Sequence, residues 1–95
     1  MTPKSPVPQE VSTELERVVR RWHQLPLDHA LTHVPAVRAL VDELAARTAP
    51  GGGPVPDLGP ATLMDQLRVL VFDACASGAA GDLEQRLVEV RRTLA

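Results

Sequence analysis

Residues Pro60 to Ser77, PATLMDQLRVLVFDACAS, decide the fold. Leu63, Met64, Leu67, Leu70, Val71, Ala74 and Cys75 form an apolar stripe that covers about half of a helix with 3.6 residues per turn. Val69 and Phe72 widen it on either side. Gly59-Pro60 opens the segment and Gly78 closes it, which is the order of breakers at the two ends of a helix. A helix this apolar needs other helices over it, so the reading makes it the centre of the fold.

Working outward, the same i, i+4, i+7, i+11 spacing recurs four times. It joins Val11, Leu15, Val18 and Trp22; then Val37, Val41, Leu44 and Thr48; then Leu63, Leu67, Leu70 and Ala74; then Leu83, Leu87, Val90 and Leu94. Only Thr48 is polar in that set. The period suits helices packed at shallow crossing angles. No stretch alternates with period two for long enough to suggest a sheet. The expected fold is all-α, a small bundle of four main helices.

The first helix spans about Gln9 to Gln24, with Glu10, Glu14, Arg17 and Arg21 opposite its apolar positions and Glu16–Arg20 as an i,i+4 pair. Leu25-Pro26-Leu27-Asp28 ends it. Residues 26–34 should hold a kink or a short extra helix with Asp28 as N-cap, because Pro35 disfavours helical geometry at Val34. A further helix then runs from about Pro35 to Thr48, with Val37, Leu40, Val41 and Leu44 as core. The last helix starts near Asp82, where Asp82-Leu83-Glu84-Gln85 has the pattern of a capping box. Residues 1–8 carry three prolines and read as a poorly ordered arm; residues 9–95 read as one helical domain. Within it, residues 49–59, APGGGPVPDLG, form an exposed loop.

Composition limits the function classes. The 95-residue chain carries a formal charge of −2, a single Lys, and no polybasic run, which argues against a nucleic-acid surface and against a charged membrane signal. Even the richest apolar segment is broken by Asp65, Gln66, Arg68 and Asp73, so no stretch approaches a membrane span. One cysteine and no signal-like N-terminus point to a reducing cytoplasm. Abundant Ala, Arg, Gly, Pro and Val with no Ile or Asn is the bias of a G+C-rich bacterial genome.

The chemistry-bearing residues are few. His29 and His33 stand four apart in DHALTH, a spacing that places two imidazoles on one helix face as metal ligands, with Asp28 to orient one ring. A third ligand, His23 or an acid, would have to join them, and the Glu of a zinc-protease motif is missing. Cys75 falls in an apolar stripe and reads as a small hydrophobe. Gly51-Gly52-Gly53 is followed by Pro54-Val55-Pro56 and not by the Gly-Lys-Ser/Thr of a phosphate loop. Asp65 and Asp73, with Asp42 and Glu43, are candidate acids, but they fall on polar flanks, and Arg68 is an i+3 partner for Asp65. Arg17, Arg20, Arg21 and His23 form a basic cluster around Trp22, with the acid-first, base-last order that suits a helix dipole.

No nucleophile–base pair emerges, so an enzyme ranks third, and no cofactor is implied. The chain lacks the Asp-Ser-Leu motif of acyl carrier proteins and the Trp-x-Gly turn of small secreted helical hairpins. The Arg/Lys/Glu set of small helical chorismate mutases cannot be placed on it. The leading reading is a protein–protein interaction or scaffolding module; the alternative is a ligand- or metal-binding bundle using His29 and His33. Trp22, Leu25, Leu27, Leu31 and Val34 cluster where a short segment has little inner face to hide them, and Val69, Phe72 and Val88 flank their stripes. The cluster is the expected interface of a homodimer, or of a complex with another helical protein.

Overall fold

The computed structural model describes residues 5–95. Four helices follow one another: α1 (Gln9–Gln24), α2 (Leu27–Thr48), α3 (Leu63–Ala76, entered through a 3-10 turn at Pro60–Thr62) and α4 (Leu83–Leu94). There is no strand among the described residues. The all-α bundle is the fold the apolar spacing anticipates. α1 pairs chiefly with α4 and α2 with α3, and the α2–α4 contact joins the two pairs.

All of the sixteen periodic positions are buried except Leu70 and Thr48, which are half-buried. The Thr48 hydroxyl donates back to the Leu44 and Ala45 carbonyls at 3.1 and 3.3 Å, so its polar atom needs no partner from the core. The buried residues form one contiguous cluster.

The centre differs from the sequence expectation. Val37, Leu40, Val41 and Leu44 of α2 are all fully buried, because α2 lies against both α3 and α4. α3 is covered on one face only. Leu67 and Val71 are fully buried and Leu70 is half-buried, while Val69 and Phe72 stand 60% and 49% exposed. The apolar width of α3 therefore overstates its burial.

Residues 26–34 differ too. The expected short helix and the expected Pro35–Thr48 helix are one element, with Pro35 inside it. Proline has no N–H to give to the Leu31 carbonyl, and its ring crowds that carbonyl. Pro35 and Leu31 both lie on the exposed side, where water reaches the freed oxygen. Ala30 and Val37, on either side of Pro35, are buried on the core face, and that burial carries the helix through. The N-cap is Pro26 and not Asp28, which sits in the first turn.

The ends of the other helices follow local chemistry. α3 closes as the sequence reading expects: Gly78 takes φ +76°, its N–H bonds to the Cys75 carbonyl at 3.3 Å, and the Ala79 N–H reaches Ala74 at 2.8 Å. That pair of bonds is a Schellman cap, which needs the left-handed conformation glycine adopts freely. The expected capping box at Asp82 does not form, since Asp82 makes no side-chain cap bond. Its carboxylate instead accepts from Arg47 at 2.8 Å.

Of the expected arm over residues 1–8, Met1 to Lys4 lie outside the described residues, and Val7 packs on the core. The 49–59 loop is mostly exposed as expected, yet it is tied down. Arg38 donates to the Val55 and Pro56 carbonyls, Gln66 donates to Pro56 at 2.9 Å, and Val55 packs on the core.

Two stability measurements test this arrangement. Leu40→Ala should cost about 2–5 kcal/mol in urea denaturation through the cavity it leaves. Pro35→Ala should raise stability, by up to about 3 kcal/mol, because it restores a bond inside a continuous helix. A Pro35→Ala variant no more stable than the parent would mean that the helix is broken there.

Candidate functional site

The corner where α1 turns into α2 carries two of the exposed large apolar side chains, Leu27 and Leu31; Leu58 in the 49–59 loop and Val69 and Phe72 on α3 are the others among the described residues. Leu25 and Pro26 are the only residues between the two helices, and the chain must reverse there. Leu27 and Leu31 lie one turn apart on the outer flank of α2 and are 69% and 49% exposed. Leu25 and Val34 are half-buried, and Trp22 is buried but reaches the surface as part of a groove wall.

Two grooves adjoin here and share Pro60. One, of about 240 Å³, lies between Trp22, Leu25, Leu27 and Ala30 on one side and Pro60 and Ala61 on the other. The second, of about 350 Å³, runs between Leu31, Val34, Pro35 and Arg38 and the Asp57–Pro60 stretch, with Leu63 at its floor. All five residues singled out from sequence as an interface line these two grooves. Pro60 and Ala61, 26 or more positions along the chain from Val34, were not foreseen. Only the α2–α3 pairing brings them across, and no local sequence signal marks them.

His23 lines the first groove, but His29 and His33 do not join this surface. On a helix with 100° per residue, His29 points about 160° away from Leu27. His29 is exposed and His33 half-buried on the other flank of α2. The His29 carbonyl accepts from the Thr32 hydroxyl at 2.6 Å, a bond within the helix. No group of three His, Cys, Asp or Glu side chains comes together among the described residues, so the third ligand that the metal reading requires is not supplied. Cys75 is half-buried, and burial pushes its thiol up from the ordinary value, away from thiolate chemistry.

The candidate acids separate. Asp65 and Asp73 are exposed on the outer flank of α3. Arg68 does not pair with Asp65; it reaches Glu16 of α1 at 3.3 Å, which also replaces the expected Glu16–Arg20 pair. Glu43 accepts from both Arg47 and Arg86 at 3.1 Å each, and Arg86 also donates to Glu89 at 2.6 Å. Arg47 adds bonds to the Ala80 carbonyl and Asp82, so one guanidinium ties α2 to the start of α4. The bond from Arg47 holds the Asp82 carboxyl below its ordinary range, while Glu43, with Glu89, holds Arg86 more firmly protonated.

A second charged cluster joins α1 to α4. Glu14 is buried at 7% exposure, the one charged residue in the core among the described residues. It accepts from Arg17 at 2.8 Å and from Arg91 of α4 at 2.9 Å. Arg21 donates its Nε to the Leu94 carbonyl at 2.8 Å. Arg17, Arg21 and Arg91 line a cleft of about 380 Å³. Of the basic cluster read from sequence, Arg17 and Arg21 belong to this cleft; Arg91 joins them only in the folded chain.

Comparison with models of known protein families, with characterised proteins and with solved structures returns no match for this chain. No helix among the described residues is long and apolar enough to cross a membrane.

Burial pushes the Glu14 carboxyl up, but the hydrogen bond and charge of Arg91, with those of Arg17, outweigh it and hold the group below its ordinary value of 4.5. A carboxyl depressed by folding adds stability above its unfolded pKa and loses it as pH falls through the folded value. Glu14→Gln should therefore cost about 1–3 kcal/mol at pH 7, and the gap to the parent should shrink below about pH 4. Urea titrations at the two pH values check this; a gap independent of pH would remove the charge from the account.

Proposed function

We propose that this chain is a protein–protein interaction module whose working surface is the α1–α2 corner, covered by a second copy of the chain. The observation that carries the reading is the exposure of Leu27 and Leu31 beside two adjoining apolar grooves. A leucine held in water forfeits the burial that favours folding and association, at about 25 cal/mol per Å² of apolar area. Two of them a turn apart, with hollows next to them, form a patch and not a scatter.

The same face supports self-association in particular. It carries both the protrusions and the hollows. A two-fold axis through it sets Leu27 and Leu31 of each copy against the grooves of the other, which is the self-complementarity an isologous dimer needs. The rim mixes Asp28, Arg38 and Asp57, so two copies meet without a block of like charge. The groove's length along a helix also suits an amphipathic helix from another protein, and that occupant is the other outcome of the test.

Light scattering coupled to size exclusion, at tens of micromolar, should give the mass of a dimer. Leu27→Asp and Leu31→Asp should give folded monomers with unchanged helical content, since neither side chain belongs to the core of one copy. A parent that stays monomeric at that concentration would overturn self-association. Variants that unfold would return the two leucines to the core.

A further inference from the structure

We propose that the cleft between α1 and α4 lined by Arg17, Arg21 and Arg91 binds a phosphate monoester dianion. The inference is independent of the α1–α2 corner and rests on how the three guanidinium groups are held.

Each arginine is tethered by one donor and keeps the rest. Arg21 is fixed through Nε to the Leu94 carbonyl, and Arg91 through Nε to Glu14. A guanidinium carries five N–H donors in one plane. Anchoring at Nε leaves the four N–H groups of the two Nη nitrogens without a protein acceptor among the described residues. Arg17 spends Nη1 on Glu14 and keeps Nε and Nη2. The tethers end on the buried Glu14 carboxylate and on a carbonyl of the last turn of α4. A side chain already hydrogen-bonded loses less freedom when a ligand arrives, which lowers the entropic cost of binding.

The donor geometry selects the ligand class. Three guanidinium groups outnumber the Glu14 carboxylate and the carboxyl end of Ala95 that share the cleft, so it stays positive. A phosphate monoester carries about −1.5 to −2 at pH 7 and offers three acceptor oxygens to planar N–H forks. A single carboxylate offers only two oxygens to the same forks. The cleft volume, about 380 Å³, admits a phosphoryl group with a small substituent. The chain's net charge of −2 and single lysine supply no track of cations leading away from the cleft, which favours a small ester over a nucleic-acid backbone.

The test is a titration of the full chain followed by NMR of the arginine Nε–Hε signals, at constant ionic strength. Inorganic phosphate and O-phosphoserine are the probes, and acetate and chloride the controls. The signals of Arg21 and Arg91 should shift saturably with both phosphate probes and hardly at all with the controls. Stronger binding of O-phosphoserine would show that the ester's substituent is held as well; stronger binding of inorganic phosphate would overturn the ester and leave a free phosphate site. Arg17→Gln, on an exposed side chain, should weaken binding at least tenfold, whereas Arg68→Gln, on the Glu16 pair, should leave it unchanged. Shifts that match those with chloride, or binding that Arg17→Gln and Arg21→Gln both leave intact, would overturn the proposal. So would tighter binding to a short DNA duplex that shifts arginines all over the surface.

Discussion

The burial of one face of α2 holds this molecule together. Val37, Leu40, Val41 and Leu44 are closed off from water by α3 on one side and α4 on another. α1 then completes the bundle through its pairing with α4, and the α3–α4 loop is held against α2 by Arg47. The charged side chains follow that packing. Glu43, Arg47 and Arg86 bridge α2 to α4, and Glu14 and Arg91 bridge α1 to α4. α4, the shortest helix and polar on one side, is therefore the element clamped by ion pairs from both neighbours.

The same constraint explains the exposed corner. α2 starts nearly three turns before its fully buried stretch begins, and of those turns Ala30 is buried and Val34 packs on the core from the side. Leu27 and Leu31 therefore have nowhere to go within one copy. Pro35 lies between the two parts of the helix: before it Leu27 and Leu31 face outward, and after it Val37, Leu40, Val41 and Leu44 face the core. A proline tolerated inside a helix at a solvent-facing position costs stability without breaking the element, and the burial of Val37 onward offsets it.

Much of the fold was legible because the apolar period is simple. The four repeats of i, i+4, i+7, i+11 named most of the core but not Val19, Ala30, Leu40, Met64 and Val71. The errors came where sequence carries the local preference but not the tertiary balance. Pro35 reads as a breaker, because its own sterics are visible and the burial on both sides is not. α3 reads as central, because Val69 and Phe72 look like core residues until it is known that α3 packs chiefly on α2 and leaves that side exposed. Asp82 reads as a cap, because Arg47, 35 residues away, is invisible from the last helix. The candidate interface was legible as an excess of leucines over available inner face, whereas its opposite wall at Pro60 and Ala61 was not. The arginine cleft was half visible: Arg17 and Arg21 cluster in sequence, but Arg91 and the depth of Glu14 depend on the α1–α4 pairing.

The central proposal is that the α1–α2 corner is built to be covered. Amide hydrogen exchange read at increasing protein concentration tests it most directly. From submicromolar to hundreds of micromolar, the account predicts added protection confined to residues 22–34 and 57–62, with α4 unchanged. Protection that rises equally along the whole chain, or that appears on α3 around Val69 and Phe72 and spares the corner, would contradict it.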